Sequence, residues 1–249
     1  MNTFYTILWG VVGSIIATII IGIFVYYYRK WIKNKLVINE KNKKLLELGM
    51  KMDEQGLTAF HFSRDDYGRT LASFIDGATQ SITIVSISLK NTHDEGKLTD
   101  IFRKKLAQNP TFKIEVSLVN PNNASLVKVA SDTLNVKKEY LQTEIKGMIS
   151  ELGECYLSLH PSERTRFKIM HHDCFPMGSV VMLDATPTGG IIQVETKLYK
   201  TARSESFGFQ ITKESKFYKT NYSAWNRIIS DSKPINFNRT NVKPKNNKK

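Results

Sequence analysis

Four consecutive residues, His171, His172, Asp173 and Cys174, carry the densest reactive chemistry in the chain. An imidazole serves as nucleophile or general base near neutral pH, and a neighbouring carboxylate orients it. As a metal site the run falls short. Adjacent residues of a strand point to opposite faces, and zinc needs further ligands from a second cluster that the sequence does not offer. No metal and no cofactor is expected. Downstream, Asp184 precedes Gly189 and Gly190 at a turn, and Gln193, Glu195 and Lys197 alternate with Ile192 and Val194 along a strand. His171, His172, Asp184 and Glu195 are the candidate catalytic residues. Ser88, Lys90, Asn120 and Lys197 are the candidate ligand-binding residues, since ligands of open α/β sheets meet the carboxyl ends of parallel strands. The chain has no G-x-S-x-G elbow, no P-loop and no G-x-G-x-x-G fingerprint, which removes the commonest hydrolase and nucleotide-binding signatures.

These residues fall at the ends of predicted elements. Arg64–Ala78 has apolar residues at helical spacing behind a Ser63/Asp66 cap. Ser81–Leu89 alternates like a strand, Lys97–Gln108 reads as a helix stopped by Asn109-Pro110, and Phe112–Val119 is a second strand ending in Asn120-Pro121-Asn122. A long helical stretch over Ala124–Leu159 precedes strand candidates at Arg166–His171, Ser179–Leu183, Gly190–Tyr199 and Phe207–Thr212. A helix over Glu214–Ser230 closes the domain. A βαβ beginning followed by several strands predicts an α/β sandwich around a mixed sheet.

Composition sets the outer limits. The chain has 249 residues, 41% of them hydrophobic, with a formal net charge of +13. That charge favours anionic partners: a phosphate-containing ligand, nucleic acid or an anionic lipid surface. Two cysteines without C-x-x-C spacing, Cys155 and Cys174, fit a reducing compartment. Residues 1–28 carry no charge, and Phe4–Val25 is rich in Ile and Val before Tyr26–Tyr28, Arg29, Lys30 and Trp31. Roughly 20–25 uncharged residues suffice to span about 30 Å of hydrocarbon. Residues 1–30 therefore read as a single-pass anchor in the cell (inner) membrane, N-terminus outside by the positive-inside rule, with the lipid bilayer as partner. Residues 31–57 read as a basic stalk helix, 58–232 as a cytoplasmic α/β domain and 233–249 as a basic disordered tail. Gly10, Gly13 and Ala17 at small-residue spacing suggest a homodimer through the membrane helix, the α/β domain being the other route.

The stretch from Phe60 to Ser230 resembles the phospholipase D-like family. The resemblance lies in the helix before SITIVSISL, the strand FKIEVSLVNP, and the block MGSVVMLDATPTGG followed by IIQVE. Members of that family carry H-x-K-x-x-x-x-D on a strand with a small or Gly-Gly step downstream. Their histidine attacks phosphorus, their lysine holds phosphate oxygens, and two copies combine across a pseudo-dimer. Setting Asp184 on the family's aspartate places Met177 at the nucleophile position and Ser179 at the lysine position. Methionine forms no phospho-intermediate and serine brings no charge. The resemblance thus implies a phospholipase D-like α/β sandwich that is non-catalytic, binding an anionic ligand or protein partner as a sensor or scaffold, with a place in bacterial defence or stress responses as an architectural analogy. The alternative is an active phosphodiesterase, a nuclease or phospholipase, with His171 or His172 as nucleophile and Lys168 or Lys197 as cation. Asp184 and Glu195 are structural under the first reading and support catalysis under the second.

Overall fold

β-branched residues dominate Ser81–Ser86 (SITIVS) and Lys113–Val119 (KIEVSLV), and both segments form strands whose later residues are buried on both faces. That pattern belongs to the centre of a sheet covered on two sides. A computed structural model describes residues 26–31, 33, 35, 40–63, 65–67, 70–89, 97–176, 178–200, 206–212 and 215–237. It divides into two compact units, Met1–Lys51 and Met52–Lys249. Residues 26–31 are helical, and residues 40–54 form helix α1 with exposed side chains on nearly every turn.

In the second unit the elements follow in the order β1 (Leu57–His61), α2 (Leu71–Asp76), β2 (Ser81–Ser86), α3 (Lys97–Gln108), β3 (Lys113–Val119), α4 (Ala124–Thr133), α5 (Lys138–Ser158) and α6 (Pro161–Arg164). Then come β4 (Phe167–His172), β5 (Gly178–Thr186), β6 (Gly189–Thr196), β7 (Gly208–Ile211), α7 (Lys216–Asp231) and β8 (Lys233–Pro234). One eight-stranded sheet runs β1-β7-β6-β5-β2-β3-β4-β8. β2, β3 and β4 are parallel, joined by helical crossovers, while the remaining pairs are antiparallel.

Alternation then decides the layers. Ile82, Ile84, Ile114, Val116, Phe167 and Val181 bury one face of the sheet against Phe102, Leu106, Val127, Leu141 and Ile145 of the α3–α5 layer. Val85, Val180, Met182, Ile192 and Val194 bury the other face against Tyr218 and Trp225 of α7. The mixed α/β sheet expected from the sequence is present.

The membrane half of that expectation is corrected. Among the described residues no helix is long and apolar enough to cross a membrane. The physical reason is charge: α1 carries Glu40, Lys41, Lys43, Lys44, Glu47, Lys51, Asp53 and Glu54, far more than a hydrocarbon core admits. The predicted span at Phe4–Val25 lies outside the described residues.

Three smaller differences have local causes. The single helix read over 124–159 is two, because Asn135 takes φ 53° and turns the chain between α4 and α5; asparagine tolerates this left-handed conformation. β1 carries no clear period in the sequence and pairs with β7 across a register irregularity at Leu57/Ala59. The tail does not begin at Lys233: β8 pairs with β4, Ile235 N–H donates to the Ile169 carbonyl at 2.9 Å, and Ile235 and Phe237 pack on the helix-covered core.

Candidate functional site

β2, β3 and β4 deliver their carboxyl ends to one edge of the sheet, where β5 and β7 begin and β6 ends. The registers place Ser179 opposite Glu195, Glu195 opposite Gly208, and Gly208 opposite His61, so these four share a face. Ser86 joins the row, its hydroxyl 3.0 Å from that of Ser179. The Leu89 amide donates to Ser86 Oγ at 3.3 Å, and Leu89 itself turns sharply with φ 57°. Beside them the Ser88 hydroxyl donates to Glu144 Oε1 at 2.5 Å, both residues being buried. Lys197 forms an ion pair with Glu195, and these two side chains are only 8% and 14% exposed.

Two glycines allow this crowding. A Cβ on Gly178 would sit 2.2 Å from the Glu195 carbonyl oxygen. One on Gly208 would sit 1.8 Å from the Tyr67 hydroxyl, which lies directly over that strand. The Tyr67 ring packs on His61 with centroids 4.3 Å apart. His61 Nδ1 lies 3.1 Å from the Asp66 carbonyl oxygen, while its Nε2 is buried without a hydrogen-bond partner among the described residues.

The histidines of the HHDC run go separate ways, as adjacent strand residues must. His172 is 1% exposed, with Nδ1 2.8 Å from the Cys174 carbonyl oxygen and Nε2 3.4 Å from that of Ser86. Burial lowers its pKa from the ordinary histidine value, against the pull of these carbonyls. His171 pairs with Leu118 and Lys233, three strands from Ser179 in the sheet order. Asp173 accepts hydrogen bonds from the Asn120 amide at 2.8 Å and the Asn123 amide at 3.2 Å, and from Lys233 at 3.2 Å. The two amides first, then Lys233, pull its pKa down to about 2.

Asp184 lies at the opposite end of the sheet. Its carboxylate accepts the backbone N–H groups of Thr79, Gln80 and Ser81 and the Thr79 hydroxyl, at 2.6–3.1 Å. It therefore fixes the amino-terminal entry of β2, and its own φ of 50° places it in the turn after Leu183. Lys168, the alternative cation, pairs with Glu115 at 2.8 Å on the exposed surface.

Of the residues read from the sequence, the structure brings Ser88, Glu195 and Lys197 to one cluster, with His172 touching it through the Ser86 carbonyl. Asn120 and His171 stand apart, Asp184 is remote, and Lys90 lies outside the described residues. Sequence reasoning missed Glu144, Tyr67 and His61 as neighbours of this cluster. For Glu144 a signal was available, since it sits between Leu141 and Ile145 on the apolar stripe of α5. The described cluster holds two carboxylates, Glu144 and Glu195, and one ammonium, Lys197. Chemically it can exchange hydrogen bonds with a polar ligand, but its charge balance does not favour a phosphate. Among the described residues no group of three metal-ligating side chains occurs.

No family model matches the chain, and no curated protein matches it. Among solved structures it is similar to TrmBL2, an archaeal chromatin protein with a novel mode of DNA binding, at 12% identity and a TM-score of 0.42, covering 85% of this chain and 68% of that one. It is also similar to NucT from Helicobacter pylori, at 13% identity and a TM-score of 0.40, covering 71% and 98%. A third likeness is to Nuc from Salmonella typhimurium, a phospholipase D family member, at 11% identity and a TM-score of 0.35, covering 66% and 87%. Structural neighbours of the chain thus include a phospholipase D family member, a likeness that carries nothing about activity.

Proposed function

We propose that the chain is a non-catalytic α/β domain of the phospholipase D-like pattern that recognises an anionic partner without cleaving it. One observation carries the reading: neither histidine of the HHDC run offers a ring nitrogen to the polar cluster. His172 has its two ring nitrogens against backbone carbonyls and is 1% exposed, and His171 stands three strands from Ser179. His61, the imidazole on the cluster's own face, has Nδ1 3.1 Å from the Asp66 carbonyl oxygen and a buried Nε2. A nucleophile or base needs an accessible nitrogen within hydrogen-bond reach of substrate. Ser179, where the resemblance expects the phosphate-holding lysine, spends its hydroxyl on Ser86. The one described ammonium of the cluster is paired with Glu195. The excess of positive charge, +13 over the chain, supports an anionic partner.

The test is turnover of a chromogenic phosphodiester, single-stranded DNA and phospholipid vesicles by the full-length chain, beside a His171→Ala, His172→Ala double variant. The expected result is no turnover above buffer for either protein. Turnover by the parent chain that disappears in the variant would overturn the reading and make these histidines catalytic.

A further inference from the structure

The outer face of α7 lies on the opposite side of the sheet from the polar cluster. Tyr218 and Trp225 point inward, and Lys216, Lys219, Thr220, Ser223, Ala224 and Arg227 line a groove of about 550 Å³. All six are exposed. Three of them are cations and none is a carboxylate.

Helix stability does not account for that choice. A helix favours anions in its first turn and cations in its last. α7 does the reverse, with Lys216 and Lys219 in the first turn and no basic residue in the last. Both lysines stand against the helix dipole. Between Lys219 and Arg227 the groove is lined by Thr220, Ser223 and Ala224, whose small side chains let a partner approach the helix backbone closely.

We infer that this groove binds the phosphate backbone of double-stranded nucleic acid. This rests on the anionic-partner reading above and deepens it. From Lys216 to Arg227 the cations are strung over about 16 Å at 1.5 Å per residue. A row fits a polymer whose charges are also in a row, whereas one compact anion calls for cations that converge. The lining has no aromatic ring on which unpaired bases stack, which single-strand binding surfaces use. It offers cations and the Ser223 hydroxyl, groups that position a protein on phosphates without reading sequence.

Binding of a short mixed-sequence DNA duplex by the full-length chain is measured by fluorescence anisotropy over a series of salt concentrations. The parent is compared with Lys216→Ala, Lys219→Ala, Arg227→Ala. A charge-matched control, Lys41→Ala, Lys43→Ala, Lys51→Ala, removes three exposed cations from α1. Each phosphate contact contributes about −0.9 to the slope of log K against log salt, so the α7 variant loses about 2 to 3 units of slope. The control loses less than one. An unchanged slope in the α7 variant, or equal losses in the two variants, overturns the inference. So does a loss confined to anionic vesicles with duplex binding intact, which assigns the groove to a lipid surface. Circular dichroism melting confirms that the variants fold, and the corresponding glutamine triple replaces any alanine variant that does not. Phosphodiester turnover would sink the non-catalytic reading and leave this slope untouched, so the two failures are separable.

Discussion

His172 faces two carbonyl oxygens, and a neutral imidazole has one proton to offer them. The shorter contact, to Cys174, takes the Nδ1 proton in that state. Because burial lowers its folded pKa, the unfolded chain binds more protons as the pH drops. Stability is therefore complete above the unfolded value of about 6.5 and is lost as the pH falls through it toward the folded value. The urea midpoint should drop between pH 7.5 and 5.5, and His172→Gln should flatten that drop. Asp184 behaves in the opposite chemical sense with the same sign. Desolvation alone would raise its carboxyl, but the amides of Ser81, Thr79 and Gln80 and the Thr79 hydroxyl outweigh it and hold the group below the usual carboxylate value. Its contribution is present above the unfolded value of about 3.9 and is lost as the pH falls below it. Asp184→Asn keeps a residue that tolerates φ 50° but removes the charge and turns one acceptor oxygen into a donor, for an expected loss of about 1–3 kcal/mol. Asp184→Ala should lose more, since it adds backbone strain and leaves amides without an acceptor. Chemical denaturation at pH 7 ranks the two.

At the scale of elements, α7 is tied to the sheet by its tyrosine. The Tyr218 hydroxyl donates toward the Thr186 carbonyl at 3.0 Å and that of Gly189 at 2.5 Å, holding the helix to the β5–β6 turn. Burial pushes its pKa up to about 12. Tyr218→Phe preserves the ring and strands those carbonyls, for an expected loss of about 1–3 kcal/mol in denaturation. Most elements were legible because their periods are strong: α3 and the strands β2 and β3 follow directly from helical spacing and β-branched alternation. The break at Asn135 was not, since its only mark is one residue able to take a positive φ. β1 was hidden for a different reason. Leu57–His61 gains its strand character from β7, a partner with no local signal in the sequence around it. The candidate site was half legible for the same physical cause. Glu195 and Lys197 share a strand face and could be paired on spacing alone, whereas Glu144 and Tyr67 reach the cluster only through tertiary packing. Asp184 was recognisable as a residue of consequence, but its placement at the amino end of β2 emerges only from the antiparallel β2–β5 register.

Within the second unit, the polar cluster and the basic groove occupy opposite faces of the sheet. The cluster at the carboxyl edge lies on the α3–α5 side of the sheet and is balanced by carboxylates. The basic groove lies on the α7 side and has none among its described lining. A ligand of the first and a polymer on the second would meet through β5 and β6, whose alternate residues supply both faces.

The order of the strands also has a consequence for how the chain is made. Thr58 and Gln210 meet across the β1–β7 pair although 152 residues separate them. At 5–20 residues per second a ribosome needs about 8 to 30 seconds to deliver the second after the first. Through that interval β1 has been synthesised and has nothing to pair with, while β2 to β6 can already assemble. The edge strand is the first piece of the sheet to be born and among the last to be seated. Phe60 and Phe62, exposed on and beside it in the finished protein, spend the wait as bare aromatics on an unpaired strand, the condition in which nascent chains most need protection from one another.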